Sequence, residues 1–152
     1  MNTYIPKYIK EKSRGLLSKK IKQSTALLTS CTLCPRQCKV NRTKEEKGYC
    51  STGKKAFVSS FSAHFGEEPQ LVGDKGSGTL FFSNCNLKCI FCQNYDISVN
   101  GTGQEIEDES IASIMLYLQK IGCHNINLVT PSHVVPQILK ALDIAIDYGL
   151  NI

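Results

Sequence analysis

No window of this sequence approaches the run of about 18 apolar residues that a membrane-crossing helix requires, so no membrane partner is expected. The opening Met1-Asn2-Thr3-Tyr4-Ile5-Pro6-Lys7 lacks the apolar core of a secretory leader, which places the chain in the cytoplasm. Tryptophan is absent, and only Tyr4 and Tyr8 accompany the early basic residues Lys7, Lys10, Lys12, Arg14, Lys19, Lys20 and Lys22. With so few rings to stack on bases, the net charge of +5 reads as solvated helix faces, and nucleic acid is not an expected partner. Ile9, Leu16, Leu17, Ile21, Leu27 and Leu28 are interleaved with those charges, which predicts short amphipathic helices broken at Gly15. Disulfides are the last exclusion. Eight cysteines in a cytoplasmic chain of 152 residues point to metal or redox chemistry instead.

Three of those cysteines carry the strongest signal. Cys85-Asn86-Leu87-Lys88-Cys89-Ile90-Phe91-Cys92 has the spacing C-x3-C-x2-C and follows Gly78-Thr79-Leu80-Phe81-Phe82-Ser83-Asn84, an apolar, aromatic run that reads as a buried strand opened by the turn at Gly76-Ser77-Gly78. The thiols therefore belong to a loop leaving the C-terminal end of a strand, where α/β folds place their chemistry. The spacing is neither the bacterial nor the plant ferredoxin pattern, nor the paired knuckles of a zinc ribbon. Three thiolates on a cubane iron-sulfur cluster leave one iron open to a small molecule. Cys85, Cys89 and Cys92 are thus candidate ligands of a [4Fe-4S] cluster.

A second group precedes them. Cys31, Cys34, Cys38 and Cys50 are spaced C-x2-C-x3-C-x11-C, enough for a closed tetrahedral zinc site or for a second, fully ligated iron-sulfur cluster. Spacing does not separate the two metals. The Lys/Glu-rich tip Thr43-Lys44-Glu45-Glu46-Lys47-Gly48 faces solvent on either reading.

Between the groups, residues 55–65 are β-prone and bounded by glycines, predicting one or two short strands, and Gly66-Glu67-Glu68-Pro69 a turn. His64 reads as a packed or hydrogen-bonded histidine, with a ligand role as the alternative. After the triad comes a polar loop ending at Gly103. Ile111, Ile114, Met115, Leu118 and Ile121 then mark a helix begun by Glu107, Asp108 and Glu109 and stopped at Gly122. Residues 125–130 predict a second strand, and Val135, Ile138, Leu139, Leu142 and Ile146 a second helix ended by Gly149. Leu150-Asn151-Ile152 then begins a third strand. This β-α-β-α-β order argues an α/β parallel sheet. Met115 reads as core, and Cys123 as a buried apolar cysteine. Four segments result: a basic helical segment over residues 1–30, a four-cysteine lobe over 31–54, a strand and glycine-rich lead-in over 55–78, and the α/β core over 79–152.

From about Leu16 onward the chain resembles the pyruvate formate-lyase-activating-enzyme-like branch of the radical S-adenosylmethionine superfamily. The likeness rests on Cys31-Thr32-Leu33-Cys34-Pro35-Arg36-Gln37-Cys38, His64-Phe65-Gly66-Glu67-Glu68-Pro69, Gly76-Ser77-Gly78-Thr79, Cys85 to Asn94, and Gly122-Cys123-His124-Asn125-Ile126-Asn127-Leu128-Val129-Thr130-Pro131. It implies a partial barrel of βα units, of which two and the start of a third strand are expected here, and Cys85, Cys89 and Cys92 as cluster ligands. It implies S-adenosyl-L-methionine bound at the open iron and cleaved by one electron to a 5′-deoxyadenosyl radical that takes hydrogen from a substrate. Backbone near Phe91 is implied at the adenine, and Asn94 is a further cofactor-binding candidate. The implied partners are an electron donor such as flavodoxin or ferredoxin, a substrate that in activating enzymes is a protein, and the C-terminal half of the barrel.

Two departures stand out. Family members carry a Gly-Gly-Glu-like segment at the end of the second strand, where this chain has Thr130-Pro131-Ser132-His133, so Ser132 and His133 become the candidate contacts to S-adenosylmethionine. The extra cysteines precede the triad, whereas in glycyl-radical activators they follow it. The length matches about a third of such a barrel, which reads as an N-terminal piece of a longer protein, with an inactive fragment as an alternative to an enzyme. The competing function class is a non-catalytic metal or electron-transfer module with both cysteine groups saturated.

Overall fold

A computed structural model of the chain describes residues 4–152; Met1, Asn2 and Thr3, part of the opening read for a leader, lie outside the described residues. Helices α1 (Lys7–Ser13) and α2 (Leu16–Ala26) are separated at Gly15, whose φ of 71° only glycine adopts cheaply, as the helical reading expected. Strand β1 (Ala56–His64), short helix α3 (Pro69–Val72) and strand β2 (Ser77–Phe82) follow the four-cysteine lobe. After the triad come α4 (Tyr95–Ser98), β3 (Gln104–Ile106), α5 (Asp108–Lys120), β4 (Ile126–Val129) and α6 (Val135–Asp147). Among the described residues no helix is long and apolar enough to cross a membrane.

The four strands form one sheet in the order β3-β1-β2-β4. β2 is its centre, and five of its six residues are buried, as its unbroken apolar run requires. β4 pairs with it in parallel, Gly78 opposite Ile126 and Phe81 opposite Val129, and α5 lies in the crossover between them. The parallel pairing expected within the core is present between β2 and β4, and the lead-in strand extends the sheet in the opposite sense. β1 runs antiparallel to β2, and β3 antiparallel to β1, so the sheet is mixed. β1 leads into β2 through a turn-rich connection that carries the short helix α3 and returns the chain antiparallel beside it. The lead-in segment therefore belongs to the sheet and gives Ala56 and Val58 to its core.

The core lies between sheet and helices: Leu80 and Phe82 of β2 meet Ile111, Ala112 and Met115 of α5 and Ile138, Ala141 and Ala145 of α6. Met115 is core, as expected. Cys123 is buried too, and burial pushes its thiol up from the ordinary value. The helices are clamped to each other by Lys140 and Asp108 at 3.6 Å, and α1 is fixed to α6 by Lys12 between Asp143 (3.0 Å) and Asp147 (2.8 Å). The predicted third strand does not form. Leu150 is buried, but the Asn151 N–H donates to Gln119 Oε1 at 2.7 Å and the Ile152 carbonyl accepts from the Tyr8 hydroxyl at 2.7 Å. Side-chain partners thus take backbone groups that a ladder on the free edge of β4 would use.

Candidate metal centres

The triad loop is fixed at its root and open at its tip. Ser83 and Asn84 leave β2 buried, with the Ser83 N–H on the Phe57 carbonyl (3.0 Å) and the Asn84 N–H on the Ile97 carbonyl (3.0 Å). Asn84 turns the chain with φ 63°, a left-handed conformation asparagine tolerates better than most residues. Cys85 is buried, whereas Cys89 and Cys92 are half-buried. Two of the three sulfurs accept hydrogen bonds: Cys85 Sγ from the Leu87 N–H at 3.4 Å, and Cys92 Sγ from the Ser98 hydroxyl of α4 at 3.3 Å. Such donors stabilise a thiolate and tune a cluster's potential. Beyond them Ile90 is 93% and Phe91 86% exposed.

The four-cysteine lobe closes on itself. Cys31, Cys34, Cys38 and Cys50 line one small concavity. Backbone bonds set its shape: the Cys31 N–H on the Val40 carbonyl (2.9 Å), the Lys39 N–H on the Cys31 carbonyl (2.9 Å) and the Gln37 N–H on the Cys34 carbonyl (3.0 Å). Cys38 Sγ accepts from the Tyr49 N–H at 3.4 Å. Gly48 makes that approach possible, since a Cβ there would sit 2.7 Å from Cys38 Cβ and 2.9 Å from its sulfur. Among the described residues no three cysteine, histidine or acidic side chains converge tightly enough to hold a single metal ion. In the four-cysteine lobe the four thiols share one concavity, and four thiols are the donor set a thiophilic centre uses.

The two groups are neighbours, joined by side chains of the lobe. Arg36, inside the cysteine motif, donates through Nε to the Asn86 carbonyl (3.1 Å) and through Nη2 to the Leu87 carbonyl (3.3 Å), both between Cys85 and Cys89. Its guanidinium also stacks 3.9 Å from the Tyr49 ring, and Lys88 of the triad loop approaches the same ring at 5.1 Å. Arg42, buried in the lobe, reaches the Gly53 carbonyl through Nε (2.8 Å) and the His133 carbonyl through Nη1 (2.7 Å).

Ser132 and His133 lie beside the triad's root. The Ser132 hydroxyl donates to Asn86 Oδ1 at 3.0 Å. His133 is buried, and its Nε2 lies 2.9 Å from the Ser83 carbonyl, which can only accept, so Nε2 carries the proton. Burial, together with the Arg42 charge, pushes its pKa down to about 4 despite the Ser83 bond, leaving a neutral ring. Asn94 precedes α4 without capping it by its side chain, and Phe91 lies at the exposed tip. His64 lies elsewhere, half-exposed at the end of β1, 4.0 Å from Glu67. Sequence reasoning missed Arg36, Arg42, Asn86 and Ser98. A basic residue two positions before a cysteine was the available signal for Arg36, but which carbonyls it meets depends on the tertiary fold.

An 84-residue stretch, 55% of this chain, is 42% identical to Uncharacterized protein MJ0674 of Methanocaldococcus jannaschii. The matched stretch covers 23% of that protein's length, so this chain corresponds to a minor part of it. No family model and no solved structure matches the chain.

Proposed function

We propose that Cys85, Cys89 and Cys92 ligate a [4Fe-4S] cluster with one open iron, and that the chain carries the cluster-bearing part of a radical S-adenosylmethionine enzyme. One observation carries the reading. Three cysteines in C-x3-C-x2-C spacing leave the central strand on a loop whose root is buried and whose sulfurs at Cys85 and Cys92 accept hydrogen bonds. When bound, such a cluster supplies the electron that cleaves S-adenosylmethionine reductively.

The chain's residues have separable tasks in this account. The Leu87 N–H and the Ser98 hydroxyl orient the sulfurs of Cys85 and Cys92 by hydrogen bonds. Arg36 pins the backbone between Cys85 and Cys89, fixing where the loop presents its cysteines. In this reading Phe91, at the exposed tip, gives its backbone to an adenine, and Asn94, two residues after Cys92, is a further contact to the cofactor. Ser132 sits beside the triad through Asn86 and is the better placed of the two candidates for S-adenosylmethionine. His133, neutral and turned onto Ser83, supports the loop's root. In this reading β2, α5, β4 and α6 are the opening units of a partial barrel, completed by further βα units. The electron donor, the substrate and those units are its partners.

Anaerobic reconstitution with iron and sulfide tests the cluster. About four irons bound at the triad, lost in Cys89→Ala, are expected. Iron content unchanged by that substitution contradicts the assignment.

A further inference from the structure

Arg42 is the largest fully buried side chain in the described structure, with 1% of its surface exposed, and its guanidinium is charged at any pH a protein survives. None of the ion pairs among the described residues includes it. Two carbonyls, of Gly53 and His133, accept from Nε and Nη1, and Nη2 is buried with no hydrogen-bond partner among the described residues. A buried cation satisfied only by neutral dipoles is costly, and proteins retain one where an anion stands beside it. The neighbouring group that can become an anion is a thiol: Cys31 Sγ, itself buried, lies 4.0 Å from Nη1, and Arg42 lines the same concavity as Cys31, Cys34, Cys38 and Cys50.

We propose that Arg42 is the counter-cation of a dianionic four-thiolate metal centre built from Cys31, Cys34, Cys38 and Cys50. Four thiolates around a zinc ion sum to a dianion, and so do four around an oxidised cubane cluster. Either centre is bound by four thiolates, so binding puts the negative charge beside Arg42 that its buried guanidinium otherwise lacks. Arg42 is then a positioning residue, acting on the centre through charge and through an N–H aimed at Cys31. The proposal is independent of the triad.

The full chain carrying Cys85→Ala, Cys89→Ala and Cys92→Ala isolates this site. It is titrated with Co2+ as a spectroscopic substitute for Zn2+, against a competing chelator, and separately reconstituted with iron and sulfide under anaerobic conditions. One probe is expected to load: a thiolate-to-cobalt charge-transfer band assigns a zinc-type centre, and cluster absorption with matching iron and sulfide assigns a cubane. Arg42→Gln is expected to lower affinity for the loading probe about 10–100-fold, the usual loss when a residue supporting metal ligands is removed. Arg42→Lys, which keeps the charge, is expected to retain most of it. Without metal, Arg42→Gln is expected to be at least as stable as the parent, because an uncompensated buried charge has gone. A residue that merely bridges two carbonyls predicts the reverse pattern. Unchanged metal affinity, a metal-free Arg42→Gln that fails to fold, or no loading by either probe overturns the proposal.

Discussion

The four-cysteine lobe and the triad loop are adjacent and similarly rich in thiols, yet they are held in opposite ways. In the lobe, two of the four cysteines are buried, backbone hydrogen bonds cross between its arms, and a buried arginine stands beside one sulfur. In the triad loop, one cysteine is buried, the backbone is anchored at the exit from β2, and the tip projects apolar side chains into solvent. A closed, internally braced thiol group suits a saturated centre that holds structure. A loop fixed at one end and open at the other suits a centre that must admit a ligand. Arg36 makes the braced region the support of the open one.

Removing a sulfur from each region separates the two roles most strongly. With the lobe's metal bound, Cys31→Ala breaks the centre and leaves Arg42 buried and unpaired. It is expected to cost about 3–5 kcal/mol in urea unfolding, the penalty for stranding one partner of a buried charge pair. Cys89→Ala, half-buried on the open loop, is expected to shift the midpoint far less. Equal losses would erase the distinction.

The second effect is of pH. His133 is neutral when folded, with a pKa of about 4 against 6.5 when unfolded, so the unfolded chain binds more protons between those values. Stability is therefore full above about 6.5 and falls as pH drops toward 4, by about 3 kcal/mol for a shift of this size. Urea midpoints measured across that window should fall in the parent and flatten in His133→Gln. A parallel fall in both would assign the acid sensitivity elsewhere.

Smaller still is Gly48→Ala. Its new methyl meets Cys38 at 2.7–2.9 Å, and overpacking of this kind costs about 1–3 kcal/mol. Because the clash falls on a proposed ligand, thermal melts should show the loss mainly in protein incubated with metal. The smallest change is expected at Ile90→Ala and Phe91→Ala, whose side chains are almost wholly exposed: under about 0.5 kcal/mol in the same melts. A larger loss at either would mean that the tip packs against something in solution.

Much of the fold could be read from local patterns. The break at Gly15, the buried run of β2, and the amphipathic spacing of α5 and α6 are each set by residues near one another in sequence. What escaped was non-local. Nothing in residues 55–65 states that β1 lies antiparallel against β2, and the three-residue β3 exists because Ala56, Phe57 and Val58 offer it an edge. Leu150 is apolar enough for a strand, but side chains of Gln119 and Tyr8 decide where its neighbours' backbone bonds go. At the candidate site, spacing sorted the cysteines into the two groups, and only the fold sets those groups beside each other. His133 and Ser132 drew attention as replacements for a missing glutamate, and only the fold distinguishes one turned onto Ser83 from one beside Asn86. Arg42 immediately precedes the Lys/Glu-rich tip and drew no sequence reading, and its burial follows from the lobe closing around it.

The most direct measurement is electron paramagnetic resonance of the reduced, reconstituted chain with and without S-adenosylmethionine. An open iron at Cys85, Cys89 and Cys92 predicts a cluster signal that changes on adding S-adenosylmethionine and vanishes in Cys89→Ala. A triad signal indifferent to S-adenosylmethionine, both in this chain and when it is joined to the further βα units, would contradict the account and leave a saturated electron-transfer centre in its place.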